Sequence, residues 1–203
     1  MASKFGNTII QNKPLLLAAF VALALFLRFF SFFPSVLDHD ESTYLIIGRD
    51  LANGKALYTD VTDTKPVGIF MIYAAFHYLF GYSIFWVRFC AAVIVGLTAF
   101  LINRLSLKFF NNSKAALAAG VIYIFYTSMW AYHGLSPNAE LYFNLCTVAA
   151  FLLFQQKTPW KYALAGLTMG IGFMIKYLVL FDFAAIMLFM FIGEIARKEL
   201  NLK

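Results

Sequence analysis

Charged side chains are scarce in this sequence. Asp, Glu, Lys and Arg together make up 13% of the 203 residues, whereas a soluble domain has about 25%. Hydrophobic residues make up 62%, and they come in long blocks rather than in the alternating pattern of half-buried elements. The interior of a water-soluble fold cannot hold that much apolar surface. The composition therefore predicts an integral membrane protein.

Cysteine and acidic residues are also few. The two cysteines, Cys90 and Cys146, lie inside apolar blocks without CxxC spacing or a nearby histidine, which argues against a zinc site or a disulfide framework. Ten acidic residues stand against 16 basic ones, so the net charge is +6. The basic residues form short clusters between apolar blocks, as in the cytoplasmic loops of membrane proteins. The positive charge therefore reflects topology and does not indicate a nucleic-acid partner.

Long apolar blocks predict an all-α membrane protein, built as a multi-span helical bundle. The first block is too long for the core of a signal peptide and has no cleavage site after it, so it indicates a retained helix. The last block would be roughly 48 Å long as one helix, too long for one upright span. We expect two short or tilted helices there, meeting near Lys176. The blocks are Pro14 to Phe33, about Ile84 to Leu107, Ala115 to Tyr132, Ala139 to Gln156, and Tyr162 to Gly193.

The apolar run from Pro66 to Phe80 decides the predicted topology. As a helix it is roughly 22 Å long, short for a hydrocarbon core of about 30 Å. Treated as an in-plane or re-entrant helix, it leaves the N-terminus and the basic loops in the cytoplasm, as the positive-inside rule requires. Seven of the ten acidic residues then share the external face. They are Asp38, Asp40, Glu41, Asp50, Asp60, Asp63 and Glu140.

The external loop between the first and second spans, residues 34–66, contains a predicted surface helix. Asp38 stands at its N-cap, and Glu41 completes a capping box ahead of the run from Ser42 to Asn53. Asn53 followed by Gly54 supplies a stop signal. An apolar or small stripe predicts that this helix lies along the membrane surface. The stripe consists of Tyr44, Leu45, Gly48 and Leu51.

The end of this loop predicts a binding site for phosphate. Leu57 to Asp60 is expected to run extended, and Pro66 occupies the first turn of the next helix. Because the residue before a proline is held extended, Lys65 projects beside the free amides of a helix N-terminus. The cation and the helix dipole together suit an anion such as phosphate.

An ordered set of short motifs follows the first apolar block: Asp40-Glu41-x-x-Tyr44, then Asn53-Gly54-x-x-Leu57-Tyr58-x-Asp60, then Lys65-Pro66. The set resembles the first external loop of the membrane glycosyltransferases with a GT-C fold. It looks most like the branch that contains the dolichyl-phosphate-mannose protein mannosyltransferases and the bacterial aminoarabinose and lipopolysaccharide-core sugar transferases. The resemblance continues to about residue 193. Its further segments are Gly81 to Arg88, Asn138-Ala139-Glu140-Leu141, and Gly166 to Lys176.

Two features depart from the pattern of that family. Val67 stands where members commonly have a second proline after the Lys-Pro pair. Members are also usually more than twice as long as this chain and carry further transmembrane helices. We therefore expect residues 1–203 to form a single transmembrane domain that is the N-terminal portion of a longer GT-C enzyme.

The resemblance implies a glycosyltransferase that moves a sugar from a polyprenyl-phosphate donor to an acceptor hydroxyl, with inversion at the anomeric carbon. Such a displacement needs a carboxylate to take the acceptor proton and a cation to hold the departing phosphate. Asp40 and Lys65 can supply these two roles. The full set of implied site residues comprises the catalytic acids Asp40, Glu41 and Glu140 and the phosphate-binding lysines Lys65 and Lys176.

The same resemblance implies the partners and the cellular location. The donor is a polyprenyl-phosphate sugar, the acceptor is a lipid, a glycan or a protein, and the reaction takes place on the extracytoplasmic side of a bacterial inner membrane. The N-terminus is expected in the cytoplasm. This scheme requires no cofactor, and a divalent metal bound by residues 38–41 is an open alternative.

Two other functions stay open. A transporter or flippase component would line a path with intramembrane charges, and the helix break near Lys176 favours it, although the chain shows no internal repeat. A shortened, non-catalytic family member would bind a lipid-linked sugar or a partner chain without turnover.

Two arginines lie within the apolar blocks, near the predicted external ends of these blocks. They are Arg28 and Arg88. Their long side chains are expected to snorkel to the membrane surface. A functional reading is also open, because charges inside membrane segments are often functional.

Overall fold

A computed structural model describes residues 12–35, 37–130 and 134–201. Within these ranges the chain forms eight α-helices and one short 3₁₀-helix, and the only β-type pairing is an isolated bridge between Leu57 and Val61. The predicted all-α fold is confirmed. The helices are α1 (Lys13–Arg28), η1 (Phe29–Phe32), α2 (His39–Ala52), α3 (Val67–Phe80), α4 (Ile84–Phe110), α5 (Ser113–Thr127), α6 (Ala139–Phe154), α7 (Pro159–Ile175) and α8 (Val179–Asn201).

In the part of the chain that the structure describes, two stretches of helix are long and apolar enough to cross a bilayer by length and composition. One is α1 continued by η1, which covers 20 residues, and the other is α4, with 27 residues. The helices α3, α5 and α6 are shorter apolar helices of 14, 15 and 16 residues. The block predicted from Ala115 ends as a helix at Thr127, and its predicted end at Tyr132 lies outside the described residues.

The predicted break near Lys176 is confirmed. Helix α7 ends at Ile175, Lys176 takes an extended backbone conformation with φ −155° and ψ 132°, and α8 begins at Val179. The acid of the last block, Asp182, faces α6, where its Oδ2 accepts a 2.8 Å hydrogen bond from Thr147. A partly buried carboxylate in this apolar stretch thus has a polar partner on a neighbouring helix.

Helix α4 is the centre of the bundle and packs against α1, α5 and α6. Small residues allow the close approach to α1. A Cβ atom on Gly96 would lie only 2.6 Å from the Cα of Val21, so the two backbones meet where glycine leaves space. Small residues at helix interfaces are the usual means of association in membranes, where burial of apolar surface gives little driving force.

Helix α2 packs on α3 through the stripe that predicted contact with the membrane surface. Tyr44 is 0% exposed, and its ring lies edge-on to Phe70 and Tyr73 with centroid distances of 5.7 and 5.4 Å. A Cβ atom on Gly48 would lie 2.6 Å from the Cβ of Tyr73. The apolar side chains of the stripe therefore fill a helix–helix contact, and the position of α2 along the membrane surface stays a prediction.

The segment after α2 forms a tight turn. The extended conformation predicted for Leu57 to Asp60 is therefore wrong. Tyr58 has a positive φ of 71°, and Oδ2 of Asp60 accepts a 2.8 Å hydrogen bond from the amide of Ala56. An aspartate that bonds to nearby backbone favours a turn over a strand. The predicted end of α2 is confirmed, with Asn53 at the C-cap and Gly54 at φ 90°.

Candidate active site

The N-terminal ends of α2 and α6 lie side by side, although they are about 100 positions apart in the sequence. The amide nitrogen Nδ2 of Asn138 donates a 2.8 Å hydrogen bond to Oδ2 of Asp38. The hydroxyl of Tyr73 on α3 donates to the carbonyl of Pro137 at 2.8 Å. The first bond joins the loop before α2 to the loop before α6, and the second joins α3 to the loop before α6.

Arg88 on α4 fixes the start of α2. It is 0% exposed, and its Nε and Nη2 donate to the two carboxylate oxygens of Glu41, both at 2.7 Å. Its Nη1 donates to the carbonyls of Ser31 and Pro34, both at 2.6 Å. One guanidinium therefore connects α4, the first turn of α2 and the chain that leads into it. Such planar bidentate pairing is the strongest geometry for arginine and carboxylate.

Arg28, at the end of α1, fixes the second loop in the same way. It too is 0% exposed. Its Nη1 donates to the carbonyls of Thr127 (2.5 Å) and Gly134 (2.7 Å), and its Nη2 donates to that of Leu135 (2.8 Å). The expected snorkelling of Arg28 and Arg88 is therefore wrong, because both side chains turn into the protein to satisfy carbonyl groups of irregular backbone. Buried backbone carbonyls need donors of this kind.

Between these two loops lies a cavity of about 520 Å³, within the size range of small-molecule sites. Three carboxylates line it, together with amide and hydroxyl groups. This set of polar groups can hydrogen-bond the hydroxyls of a sugar. The lining residues are Asp38, Asp40, Tyr126, Thr127, Gly134, Ser136, Asn138, Glu140, Leu141 and Asn144.

Asp40 is held at the cavity by two side chains. The ammonium of Lys65 donates to its Oδ1 at 3.1 Å, and the hydroxyl of Tyr44 donates to its Oδ2 at 3.2 Å. The Lys65 ammonium also lies 5.0 Å from the centre of the Tyr44 ring, within the range of a cation–π interaction. Burial, with the Asp40 carboxylate beside it, raises the pKa of Tyr44 well above its usual range. Tyr44 therefore remains a hydrogen-bond donor.

Glu140 has the equivalent arrangement on the other wall of the cavity. Its Oε1 accepts a hydrogen bond from the ammonium of Lys176, which stands at the break between α7 and α8. The start of α3, next to Lys65, abuts the end of α7, next to Lys176. A Cβ atom on Gly68 would lie 2.5 Å from the carbonyl oxygen of Met174. Each lysine thus contacts one acid that lines the cavity, and both stand beside the junction of α3 and α7. Lys65 also lies 4.0 Å from Oδ1 of Asp63.

Residues 64–203 match the profile of a family described as dolichyl-phosphate-mannose-protein mannosyltransferase. The chain belongs to this family. This family match confirms the resemblance to GT-C membrane glycosyltransferases. It also confirms the all-α membrane fold of GT-C type. No solved structure matches the chain.

Curated relatives of the chain are named as aminoarabinose transferases. An undecaprenyl phosphate-alpha-4-amino-4-deoxy-L-arabinose arabinosyl transferase of Pseudomonas fluorescens is 32% identical over 119 residues, which cover 55% of this chain and 22% of that protein. Proteins of the same name from Serratia proteamaculans and Pectobacterium carotovorum are 29% and 30% identical over 149 and 152 residues. Those matches cover 68% of this chain and 27% of each relative. The matched segment is thus about a quarter of the length of these relatives.

The predicted site residues of this family member separate into two groups. Asp40 and Glu140, two of the predicted catalytic acids, line one cavity. Lys65 and Lys176 do not line it within the described residues, but each contacts a lining acid. Glu41 is 1% exposed and directs both oxygens to Arg88. That geometry does not favour its predicted catalytic role or a capping box, because the carboxylate is buried and paired with Arg88.

Asp38 differs from its predicted role as a helix cap. Its side chain makes no capping bond to α2; it contacts Asn138 and lines the cavity. Asn138 was not among the predicted site residues, although it stands in the segment Asn138-Ala139-Glu140-Leu141 that carries part of the resemblance. Within the described residues, no group of three or more His, Cys, Asp or Glu side chains is arranged to hold a metal ion.

Proposed function

We propose that this chain carries the donor site and the catalytic acids of an inverting glycosyltransferase that uses a polyprenyl-phosphate sugar. One observation supports it above others: Asp40 and Glu140 line one cavity, and each is paired with a lysine. The reaction needs proton-accepting carboxylates and phosphate-binding cations side by side. Its relatives' names motivate undecaprenyl phosphate as the carrier.

In the proposed reaction, the acceptor hydroxyl attacks the anomeric carbon and Asp40 takes the hydroxyl proton. A new carbon–oxygen bond forms to the acceptor while the bond from the anomeric carbon to the phosphate oxygen breaks. The leaving phosphate keeps the electron pair, and Lys65 and Lys176 stabilise its added charge. The same phosphate competes with Asp40 for Lys65, so that donor binding frees the Asp40 carboxylate. No cofactor takes part in this scheme.

The donor phosphate is proposed to lie where the start of α3 meets the end of α7. Pro66 at the N-cap of α3 provides no side-chain cap, so the first amides of the helix can bind an anion. The polyprenyl tail would lie along the apolar helices. The acceptor is a lipid, a glycan or a protein.

The proposed membrane arrangement follows the charge distribution. The chain is a multi-pass, single transmembrane domain of an inner-membrane protein and forms the N-terminal portion of the enzyme. Its N-terminus is cytoplasmic, α2 and the active site are extracytoplasmic, and α3 does not cross the bilayer. The 14 residues of α3 support this, since they span about 21 Å at 1.5 Å per residue.

Cysteine labelling tests that arrangement. After Cys90 and Cys146 are replaced with alanine, a single cysteine at the exposed Thr59 should react with an impermeant thiol reagent added outside intact cells. One at the exposed Ser113 should react only after the cells are opened. Labelling of Ser113 from outside would contradict the re-entrant placement of α3.

Lipid binding tests the phosphate role of Lys65. The chain in nanodiscs should bind undecaprenyl phosphate more tightly than uncharged undecaprenol, and Lys65→Ala should weaken phosphate binding about 10- to 100-fold because a charge-assisted hydrogen bond is lost. Lys55→Ala is the matched control, since Lys55 pairs with Asp50 outside the cavity. Equal effects of the two substitutions would contradict a specific phosphate site.

A further inference from the structure

A groove lined by aromatic side chains lies at the end of the bundle far from the acidic cavity. It runs between the C-terminal ends of α4 and α6 and the middle of α8. The rings of Phe109, Phe151 and Phe189 contact one another with centroid distances of 5.6 to 5.7 Å. They line a cavity of about 530 Å³, together with Phe110, Ala185 and Ile186. Every lining side chain that the structure describes is apolar.

One end of this groove is polar. A smaller cavity of about 120 Å³ shares Phe109 and Phe189 with it and is also lined by Gln155, Lys157 and Glu194. The Lys157 ammonium pairs with Oε1 of Glu194. The ammonium of Lys108 donates to the carbonyl of Gln155 at 2.9 Å. Lys157 therefore lines the polar end of the apolar groove, and Lys108 bonds to the backbone of another residue that lines this end.

The backbone at this polar end is strained. Lys157 has a φ of 52°, in the left-handed region that residues other than glycine adopt at a cost. The strained conformation places a lysine beside the groove in the connection between α6 and α7. Strain of this kind tends to persist where a site needs a particular side chain.

We propose that this groove binds one anionic glycerophospholipid of the surrounding bilayer. An acyl chain lies against the three phenylalanine rings, and the lipid phosphate lies between Lys108 and Lys157. Charge complementarity decides between anionic and zwitterionic lipids, because basic pockets between helices select anionic head groups. Glu194 competes with the phosphate for Lys157, so lipid binding displaces the Lys157–Glu194 pair. The proposal does not depend on the proposed enzymatic function.

Native mass spectrometry tests this site. The chain is reconstituted in vesicles of equal parts phosphatidylcholine and phosphatidylglycerol, extracted, and examined for retained lipid. We expect one phosphatidylglycerol to be retained in preference to phosphatidylcholine. The double variant Lys108→Gln/Lys157→Gln should lower that retention about 10- to 30-fold, from the loss of two cations near the head group.

Two single variants sharpen the test. Glu194→Gln should raise retention of phosphatidylglycerol, because it removes the competing carboxylate. Lys114→Gln, at the start of α5 and outside the groove lining, should leave it unchanged.

Three outcomes would overturn the proposal. The first is equal retention of the two lipids by the unaltered chain. The second is unchanged retention in both the double variant and Glu194→Gln. The third is displacement of phosphatidylglycerol by an equal amount of undecaprenyl phosphate, which would make the groove a carrier site instead.

Discussion

Replacing Asp40 with asparagine is expected to lower sugar transfer by about 10²- to 10⁴-fold, the usual contribution of a general base. Asparagine keeps the shape of the side chain and an oxygen for Lys65 and Tyr44, but it cannot accept the acceptor proton. The measurement is transfer of a labelled sugar from an undecaprenyl-phosphate donor in vesicles that hold the chain. Donor binding should change much less than turnover, because binding depends on the lysines.

Asp60→Asn is the matched control for this experiment. Asp60 lies on the same loop, but it bonds to the amide of Ala56 and does not line the cavity. Its replacement should leave turnover within about twofold, as for a surface position away from the reacting atoms. A loss below about tenfold for Asp40→Asn would make Asp40 a structural residue. Movement of intact donor from one leaflet of the vesicle membrane to the other, without sugar transfer, would instead identify a transporter.

Much of the helical organisation could be predicted from the sequence, because it depends on local patterns. Apolar blocks predicted where helices lie, and the charge of Lys176 marked the break between α7 and α8. The same reasoning could place Asp40 and Glu140 near each other. Each lies in the first turn of a helix, and both were predicted to lie on the external face of the membrane. These features follow from periodicity, from helix starts and from the distribution of charge along the chain.

The contacts of buried polar groups could not be predicted in this way. Arg28 donates to backbone carbonyls about 100 positions away, and no side-chain pattern marks a carbonyl as an acceptor. Asp38 had a local explanation as a helix cap, yet its oxygen bonds to Asn138. When a local and a distant partner compete for one side chain, only the packing of the helices decides between them.

The buried arginines also explain how two loops can hold the acids of the cavity in place. Arg88 bonds to the first loop and to the start of α2, and Arg28 bonds to the second loop. A buried guanidinium therefore supports each of the two loops that flank the cavity. Neither arginine lines the cavity within the described residues. Their effect on the reaction would therefore come from positioning Asp40 and Glu140.

Arg88→Met is expected to destabilise the protein by about 3 to 5 kcal/mol, because it leaves the Glu41 carboxylate buried without its partner. The measurement is reversible unfolding in detergent, compared with Arg104→Met as a control on the same helix. Arg104 is only partly buried and lies near the other end of α4, so its replacement should cost less than about 1 kcal/mol. Equal costs for the two variants would contradict the buried ion pair.

The double variant Glu41→Leu/Arg88→Met separates stability from positioning. Removing both charges avoids an unpaired buried ion, so the double variant should recover most of the stability lost by Arg88→Met. Recovery stays incomplete, because the carbonyls of Ser31 and Pro34 still lose their donor. Sugar transfer should remain low in this variant, since the first turn of α2, where Asp40 stands, then loses its bonds to α4. Full recovery of transfer together with stability would show that Arg88 serves folding alone and has no part in placing Asp40.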